Sequence, residues 1–133
     1  MARKYILCVD DDRTILMSIR AQLKRYYGDS YSYEIAESAE EAWEIIDELH
    51  EDGDQVEVVI SDWLMPEVKG DQFLIDLHQS YPEIIKIMLT GQAEQSAIDR
   101  SKKYANLAEC FLKPWTIEQV AETIEQAKTE SVS

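Results

Sequence analysis

Short strand-like runs alternate with helical patterns along nearly the whole chain, and this alternation limits the possible folds more than any other feature. Three runs, 5–9, 56–60 and 84–89, are mostly continuous and rich in β-branched residues, as expected of strands covered on both faces. Two weaker runs, 31–36 and 109–112, also fit strands. Strands with helices between them at this spacing predict an α/β fold with a parallel sheet, right-handed crossovers and helices on both faces.

Helical patterns lie between these runs and after the last one, and two of the helical patterns begin with a capping box. Ser38 and Glu41 form the first box, and Thr116 and Gln119 form the second. Apolar residues recur at helical spacing in each of the four gaps, most weakly over 93–104, and again after Thr116. The predicted order of elements is therefore βαβαβαβαβα.

Size and charge narrow the class of protein further. The 133 residues fit a single domain over 1–133, with an ordered core over about 4–129 and a polar tail, 128–133, that we expect to fray. The net charge of −14 argues against direct contact with nucleic acid or an anionic membrane surface. We find no signal peptide and no apolar run long enough to span a membrane. Two cysteines form no disulfide framework, so a reducing cytoplasm is the expected compartment.

Polar residues that can carry chemistry follow four of the predicted strands. Asp10 and Asp11 follow the first strand, and Asp62 follows the third. Thr90 ends the fourth strand, and Lys113 follows the fifth. Because the working site of a parallel α/β sheet lies beyond the carboxyl ends of its strands, we expect these side chains to gather at one edge.

The chemistry of this group points to a metal and a phosphoryl group. Carboxylates held close together repel one another unless they lose a proton or share a cation, and Mg²⁺ suits carboxylate ligands combined with water and phosphate oxygens. A hydroxyl from Thr90 and an ammonium from Lys113 could hold two phosphoryl oxygens. An aspartate beside a metal can itself be the nucleophile. The group therefore predicts phosphoryl transfer to an aspartate, driven by positioning and electrostatics.

Four motifs in chain order resemble those of the receiver domains of two-component response regulators, such as the chemotaxis receiver. ILCVDD at 6–11 is similar to the family's acidic-pair strand, and DWLMPEVKG at 62–70 to its phosphoacceptor loop. LTG at 89–91 resembles its hydroxyl-bearing strand end, and FLKP at 111–114 its lysine–proline turn. The resemblance covers residues 4 to about 129. It implies a doubly wound, flavodoxin-like (βα)5 fold whose five-stranded parallel sheet has the order 2-1-3-4-5.

The resemblance also implies a role for each acidic residue. Asp62 would accept a phosphoryl group from a phosphohistidine on a sensor histidine kinase or a phosphotransfer protein. Asp11 would bind Mg²⁺ directly, together with Asp62 and the backbone carbonyl of Leu64, and Asp10 would bind it through a water or as a second carboxylate. The chain would then be a phosphoacceptor signalling domain, limited to its own phosphorylation and slow dephosphorylation, with an output domain or effector that the sequence does not identify.

The remaining roles concern the phosphoryl oxygens and the switch. Thr90 and Lys113 would bind those oxygens, and Pro114 would follow Lys113 through a cis peptide bond. In the family, movement of the threonine is coupled to an aromatic residue three positions before the lysine. Cys110 occupies that position here, which leaves open whether another side chain takes over the switch. We expect Cys110 to be a small, buried or half-buried side chain rather than a redox sensor.

Two other functions fit parts of the sequence. Residues 9–14, VDDDRT, also match the nucleophile motif of haloacid-dehalogenase-like phosphatases, with Asp10 as nucleophile and Asp12 as acid/base. That family needs a further acidic pair after a late strand, which 109–115 does not offer, and it leaves the loop at Asp62 unexplained. A pseudo-receiver that binds a partner without phosphorylation is the second alternative, and Cys110 leaves room for it.

Several other side chains are expected to be structural. Asp12 suits the N-cap of the first helix, and Trp63 and Trp115 are interpreted as packing residues that flank the site. His50 and His78 show no metal-ligand spacing and are interpreted as surface residues. The apolar face of the last helix is expected to lie mostly in the core, and any exposed remainder could pair with a second copy in a homodimer.

Overall fold

The computed structural model describes residues 2–132, and its elements follow the predicted alternation. The strands are β1 (Lys4–Val9), β2 (Ser32–Ala36), β3 (Gln55–Ser61), β4 (Ile85–Thr90) and β5 (Glu109–Leu112). The helices are α1 (Arg13–Tyr27), α2 (Ala39–Glu51), α3 (Gly70–Ser80), α4 (Gln95–Tyr104) and α5 (Ile117–Val132), with a short 3-10 turn at Gly28–Ser30. Each predicted strand is confirmed to within one residue at both ends.

The strands form one parallel sheet in the order β2-β1-β3-β4-β5, which confirms the doubly wound, flavodoxin-like topology. Alternate residues of each strand belong to two separate hydrophobic clusters. Leu7 packs with residues of α2, α3 and α4, whereas Ile6 packs with residues of α1 and α5. The chain reverses its direction of winding between β1 and β3, so the loops after these neighbouring strands open into the same crevice.

Side-chain caps begin three of the helices as the sequence predicts. The Asp12 carboxylate accepts hydrogen bonds from two backbone N–H groups in the first turn of α1. The Ser38 hydroxyl accepts from the Glu41 N–H at 3.1 Å before α2. At α5 the capping box is reciprocal, because the Thr116 hydroxyl accepts from the Gln119 N–H while the Gln119 side chain accepts from the Thr116 N–H.

Aromatic and charged side chains at the amino ends of the strands attach α5 to the sheet. Lys128 donates a hydrogen bond to the Tyr31 hydroxyl at 3.0 Å and lies 3.6 Å from the Glu57 carboxylate. One turn earlier, Glu125 accepts a hydrogen bond from the Tyr27 hydroxyl at 3.0 Å. The expectation that the chain frays from residue 128 stays a prediction. In the structure Lys128 makes these contacts and α5 continues to Val132, while residue 133 lies outside the described part. None of the described helices combines the length and apolar character needed to cross a membrane.

The tryptophans that flank the site pack as predicted, whereas the two histidines, interpreted as surface residues, are half-buried. Trp63 is 5% exposed, and Trp115 is half-buried against the cluster on the side of α1 and α5. His50 is half-buried, and its Nε2 atom accepts a hydrogen bond from the Val56 N–H at 3.4 Å. His78 is also half-buried, and burial lowers its pKa. Both side chains turn inward from the last turn of a helix, which a helix-end position does not reveal.

Lys86 is a charged residue inside the core. It is the second residue of β4, is 1% exposed, and its Nζ atom donates to the Ile84 carbonyl oxygen at 2.6 Å. Burial lowers the pKa of Lys86 to about 8, and the nearby Glu83 carboxylate opposes that shift. The positive charge of Lys86 also lowers the pKa of His78, in the same direction as burial. A protonated Lys86 is therefore a cost to the folded state at neutral pH.

We predict that Lys86→Met raises the free energy of unfolding by about 1–3 kcal/mol at pH 7, since one pKa unit corresponds to about 1.4 kcal/mol. The pKa of Lys86 is depressed on folding, so the unfolded chain binds more protons between about pH 8 and pH 10.5, and this group favours folding more as pH rises through that window. The gain from Lys86→Met should therefore shrink between pH 7 and pH 9.5. Urea unfolding of the parent protein and of Lys86→Met, at pH 7 and at pH 9.5, measures this gain in the free energy of unfolding.

Lys102→Met is the matched control, because Lys102 is exposed on α4 and loses the same charge and the same atoms. This variant should change stability little at either pH. Equal stability of Lys86→Met and the parent at pH 7 would contradict a cost from the buried charge.

Candidate functional site

Three carboxylates meet at the carboxyl edge of the sheet. Carboxylate oxygens of Asp10, Asp11 and Asp62, one from each residue, all lie within 4.8 Å of one another. Asp10 is buried, Asp62 is half-buried and Asp11 is exposed. The sheet sets this arrangement, because β1 and β3 are neighbours and the Asp62 N–H continues their pairing by donating to the Val9 carbonyl at 2.9 Å. The structure thus brings together the acidic residues that the sequence assigns to one site.

The Asp10 carboxyl is harder to ionise than an ordinary aspartate. Burial raises its pKa to about 6, and the charges of Asp62 and Asp11 act in the same direction. The backbone N–H of Asp12 opposes the shift by donating to Asp10 Oδ1 at 2.8 Å. A buried carboxylate beside two others is stabilised by a cation. The all-oxygen donor set, open to solvent at Asp11, fits a hard divalent ion such as Mg²⁺.

The loop from Asp62 to Gly70 is closed by tight backbone contacts. The Trp63 N–H donates to Asp62 Oδ1 at 2.8 Å, and the Trp63 carbonyl accepts from the Gly70 N–H at 2.8 Å. Met65 is 4% exposed and anchors the loop in the core. A Cβ added to Gly70 would collide with the Asp62 carbonyl oxygen and lie 2.8 Å from the Trp63 Cα atom. Only glycine therefore fits at the close approach that holds the Asp62 backbone.

Thr90 and Lys113 lie at neighbouring strand ends. Thr90 is 2% exposed, and its hydroxyl donates to the Gln92 carbonyl at 2.8 Å and accepts from the Gln92 N–H at 3.2 Å. The Lys113 N–H donates to the Thr90 carbonyl at 3.2 Å. The Lys113 side chain runs back towards β4, since a Cβ built on Gly91 would lie 3.6 Å from its Cδ atom. The Lys113–Pro114 bond is cis, as expected.

The ammonium group of Lys113 is available to a ligand. Lys113 is exposed, and it takes no part in the ion pairs found among residues 2–130. A hydroxyl and an unpaired ammonium thus flank the acidic cluster on adjacent strands. This combination can hold the oxygens of a phosphoryl group while the carboxylates hold a cation.

Cys110 is half-buried, as the sequence predicts, and burial raises the pKa of its thiol. It pairs in register with Met88 and packs towards α2, α3 and α4. The next residue, Phe111, packs against the opposite cluster, on the side of α1 and α5. The aromatic residue nearest to Cys110 in sequence therefore lies on the wrong face of the sheet to replace a ring at position 110.

The sheet order and the acidic cluster at the ends of β1 and β3 agree with the receiver-domain resemblance of the sequence. The chain belongs to the response regulator receiver domain family, whose sequence model matches residues 6–125.

Individual relatives support the same family. The sensor kinase CckA of Brucella abortus is 33% identical over 123 residues, a match that covers 91% of this chain and 12% of the kinase. The chemotaxis protein CheY homolog of Campylobacter jejuni is 28% identical, with 90% of this chain and 88% of that protein covered. The signal receiver domain of an HD domain-containing protein of Pseudomonas fluorescens Pf-5 has a TM-score of 0.83 at 26% identity, and the match covers 96% of both chains.

The sequence missed one group of residues beside the site. The indole N–H of Trp63 donates to Asp71 Oδ1 at 3.1 Å, and Asp71 also accepts from Arg100 on α4. Asp71 and Arg100 are 29 positions apart, so no local pattern joins them. The metal-ligand role of the Leu64 backbone carbonyl stays a prediction. The side chain of the same residue is 49% exposed.

We predict that Gly70→Ala destabilises the protein by about 2 kcal/mol or more, because backbone atoms of Asp62 and Trp63 must move to admit the methyl group. Urea unfolding followed by circular dichroism measures the loss. Gly91→Ala is the matched control, since its added Cβ would meet only the flexible Lys113 side chain at ordinary contact distance. A Gly70→Ala protein as stable as Gly91→Ala would show that the close approach at Asp62 is not required.

Proposed function

We propose that Asp62 accepts a phosphoryl group in a Mg²⁺-dependent step, and that this modification changes the surface that the domain offers to an output partner. The observation that carries the proposal is the meeting of Asp10, Asp11 and Asp62 within 4.8 Å. A hydroxyl and an unpaired ammonium, from Thr90 and Lys113, stand at the two adjacent strand ends. Membership of the receiver family supports the assignment.

The proposed transfer uses the side chains at the edge of the sheet. A carboxylate oxygen of Asp62 forms a bond to phosphorus, while the bond from phosphorus to the donor nitrogen of a phosphohistidine breaks and its electron pair stays on that nitrogen. The imidazole leaves in its neutral form because its other ring nitrogen already carries a proton. Thr90 exchanges its hydrogen bond to the Gln92 carbonyl for one to a phosphoryl oxygen. Lys113 offsets the charge of a second oxygen.

The metal ligands we propose are Asp10, Asp11, Asp62 and the backbone carbonyl of Leu64. When bound, Mg²⁺ supplies positive charge that offsets the charge of the phosphoryl oxygens. Asp11 is exposed, so the proposed metal site is open to solvent on its side. Asp10 is buried and accepts a hydrogen bond from the Asp12 N–H. The two neighbouring acids thus have different surroundings within one donor set.

The partners follow from this chemistry. We propose that a sensor histidine kinase or a phosphotransfer protein supplies the phosphoryl group, and that the domain works in the cytoplasm, where its thiols at Cys8 and Cys110 stay free. The output is an effector protein or a further domain. The chain spans 12% of the CckA kinase but 88% of the CheY homolog, so relatives of both kinds exist.

A homodimer of this single domain, 1–133, also stays a prediction. The apolar face of α5 is largely used within the domain, because Val120 and Ile124 are fully buried. Leu112, which is 51% exposed, and the half-buried Ile117 remain as apolar surface for a second copy.

The two alternative functions are less well supported. In the phosphatase hypothesis Asp12 is the acid/base, but here its carboxylate caps α1 through two backbone hydrogen bonds. The pseudo-receiver hypothesis leaves the combination of Asp62, Thr90 and Lys113 without a use. The phosphatase hypothesis differs from the receiver proposal in what it predicts for an Asp62 variant. The pseudo-receiver hypothesis differs in what it predicts for the parent protein.

With Mg²⁺ and acetyl phosphate, we expect the protein to gain one phosphoryl group and Asp62→Asn to gain none, because the amide is not a nucleophile. Intact-mass spectrometry measures the addition. Asp12→Asn is the control, because asparagine also caps helices and the variant should still be modified. Phosphatase turnover that survives Asp62→Asn would favour the haloacid-dehalogenase-like alternative, and an unmodified parent protein would favour the pseudo-receiver.

We also expect Mg²⁺ to stabilise the folded protein by relieving repulsion among the three carboxylates. At a concentration about 100 times the dissociation constant, the gain is about 2.7 kcal/mol. Urea unfolding with MgCl2, compared with NaCl at the same ionic strength, measures it. Asp11→Asn should weaken the response, whereas Asp52→Asn, an exposed acid at the end of α2, should not. Equal stabilisation by the two salts would argue against a specific site.

A further inference from the structure

A chain of hydrogen bonds connects the proposed phosphoacceptor to helix α4. Asp62 Oδ1 accepts from the Trp63 backbone N–H at 2.8 Å. The Trp63 indole N–H donates to Asp71 Oδ1 at 3.1 Å. The other oxygen of Asp71, Oδ2, accepts from Arg100 Nη1 at 2.7 Å. The path thus passes from the loop after β3, through the first turn of α3, to α4.

Burial makes the middle of this path rigid. Trp63 is 5% exposed and Asp71 is 6% exposed, so neither side chain can replace a lost partner with water without moving. Both carboxylate oxygens of Asp71 are engaged, one by Trp63 and one by Arg100. A displacement of the indole therefore leaves a buried carboxylate short of one partner and changes its pairing with Arg100.

Helix α4 is lightly held at the far end of the path. Its buried side chains are few and mostly small: Ala97, Ile98 and Ser101. It packs chiefly on α3, and its N-cap residue, Glu94, makes no side-chain capping bond. Arg100 makes two hydrogen bonds to α3, to Asp71 and, at 3.2 Å, to Gln72. This polar attachment is therefore a large part of what positions α4, an element suited to move.

On the side of α2, α3 and α4, β5 carries a small thiol rather than an aromatic ring. The thiol belongs to Cys110, and Phe111 faces the other side of the sheet. Trp63 packs in the same cluster as Cys110, on the side of α2, α3 and α4. It is also the residue that contacts Asp62 directly.

We propose that Trp63 is the positioning residue that transmits the state of Asp62 to α4, through Asp71 and Arg100. This inference rests on the proposed phosphorylation of Asp62. The acyl phosphate removes the ionic charge of the Asp62 carboxylate, so the oxygen that faces the Trp63 N–H becomes a weaker acceptor. The indole then shifts, Asp71 repacks, and the attachment of Arg100 to α3 changes.

The test measures amide hydrogen exchange in α4, with Mg²⁺, before and after phosphorylation by acetyl phosphate. In the parent protein we expect phosphorylation to change exchange in α4 by about fivefold or more, the lower end of typical coupling between sites. Trp63→Phe keeps an aromatic ring at this position but removes the indole N–H. This variant should still be phosphorylated, but its hydrogen exchange in α4 should no longer change. Arg100→Met, at a side chain 48% exposed, should have the same effect without disturbing the core.

Trp43→Phe is the matched control, because Trp43 packs edge-on against Phe73 in the same cluster and lies outside the path. It should keep the response of α4, and the double variant Trp63→Phe/Arg100→Met should lose no more than either single variant. A normal response in phosphorylated Trp63→Phe, no response in the phosphorylated parent, or an equal loss in Trp43→Phe would overturn the inference. Absence of the phosphoryl group from the parent by mass spectrometry would instead overturn the proposed function, and the inference with it.

Discussion

Burial of the parallel sheet on both faces is the constraint on which the rest of the structure depends. Strands such as β1 and β4 have little exposed side-chain surface beyond Lys4, so their interior positions are mostly apolar, with Lys86 as an exception. The polar groups of the site gather where the strands end, and neighbouring strands bring them to one crevice. The acidic cluster is a direct result of this arrangement. Because β1 and β3 are paired neighbours, the acidic residues that follow them lie close together.

The same constraint explains why so much of the fold and site could be predicted. Buried strands leave mostly apolar runs, and Asp10 interrupts the pattern directly after one such run, whereas Asp62 follows another after Ser61. The part that could not be predicted depends on contacts between distant residues. Lys86 is a single lysine in an apolar run, and nothing in that run shows that its ammonium bends back to the carbonyl two residues earlier. The pairing of Trp63 with Asp71 and Arg100 likewise needs α3 and α4 to be placed first.

The site combines a tightly closed loop with a lightly held helix. Gly70 packs so closely on the Asp62 backbone that the loop has little room to relax. Helix α4, in contrast, is held by small side chains and by Arg100. A chemical change at Asp62 is therefore less easily absorbed where it occurs than in the neighbouring helix. In the proposed function, this combination of a stiff loop at Asp62 and a lightly held α4 would let a change of charge become a change of surface.

The attachment of α5 has a practical consequence for handling the protein. The helix begins beside the carboxyl edge of the sheet and reaches the opposite edge, where Lys128 contacts Tyr31 and Glu57. Its 16 residues span about 24 Å at 1.5 Å per residue. A dye, an affinity tag or a surface tether joined after α5 would therefore leave from the side of the domain remote from the acidic crevice. Immobilised protein would keep that crevice facing the solution, open to any phosphodonor.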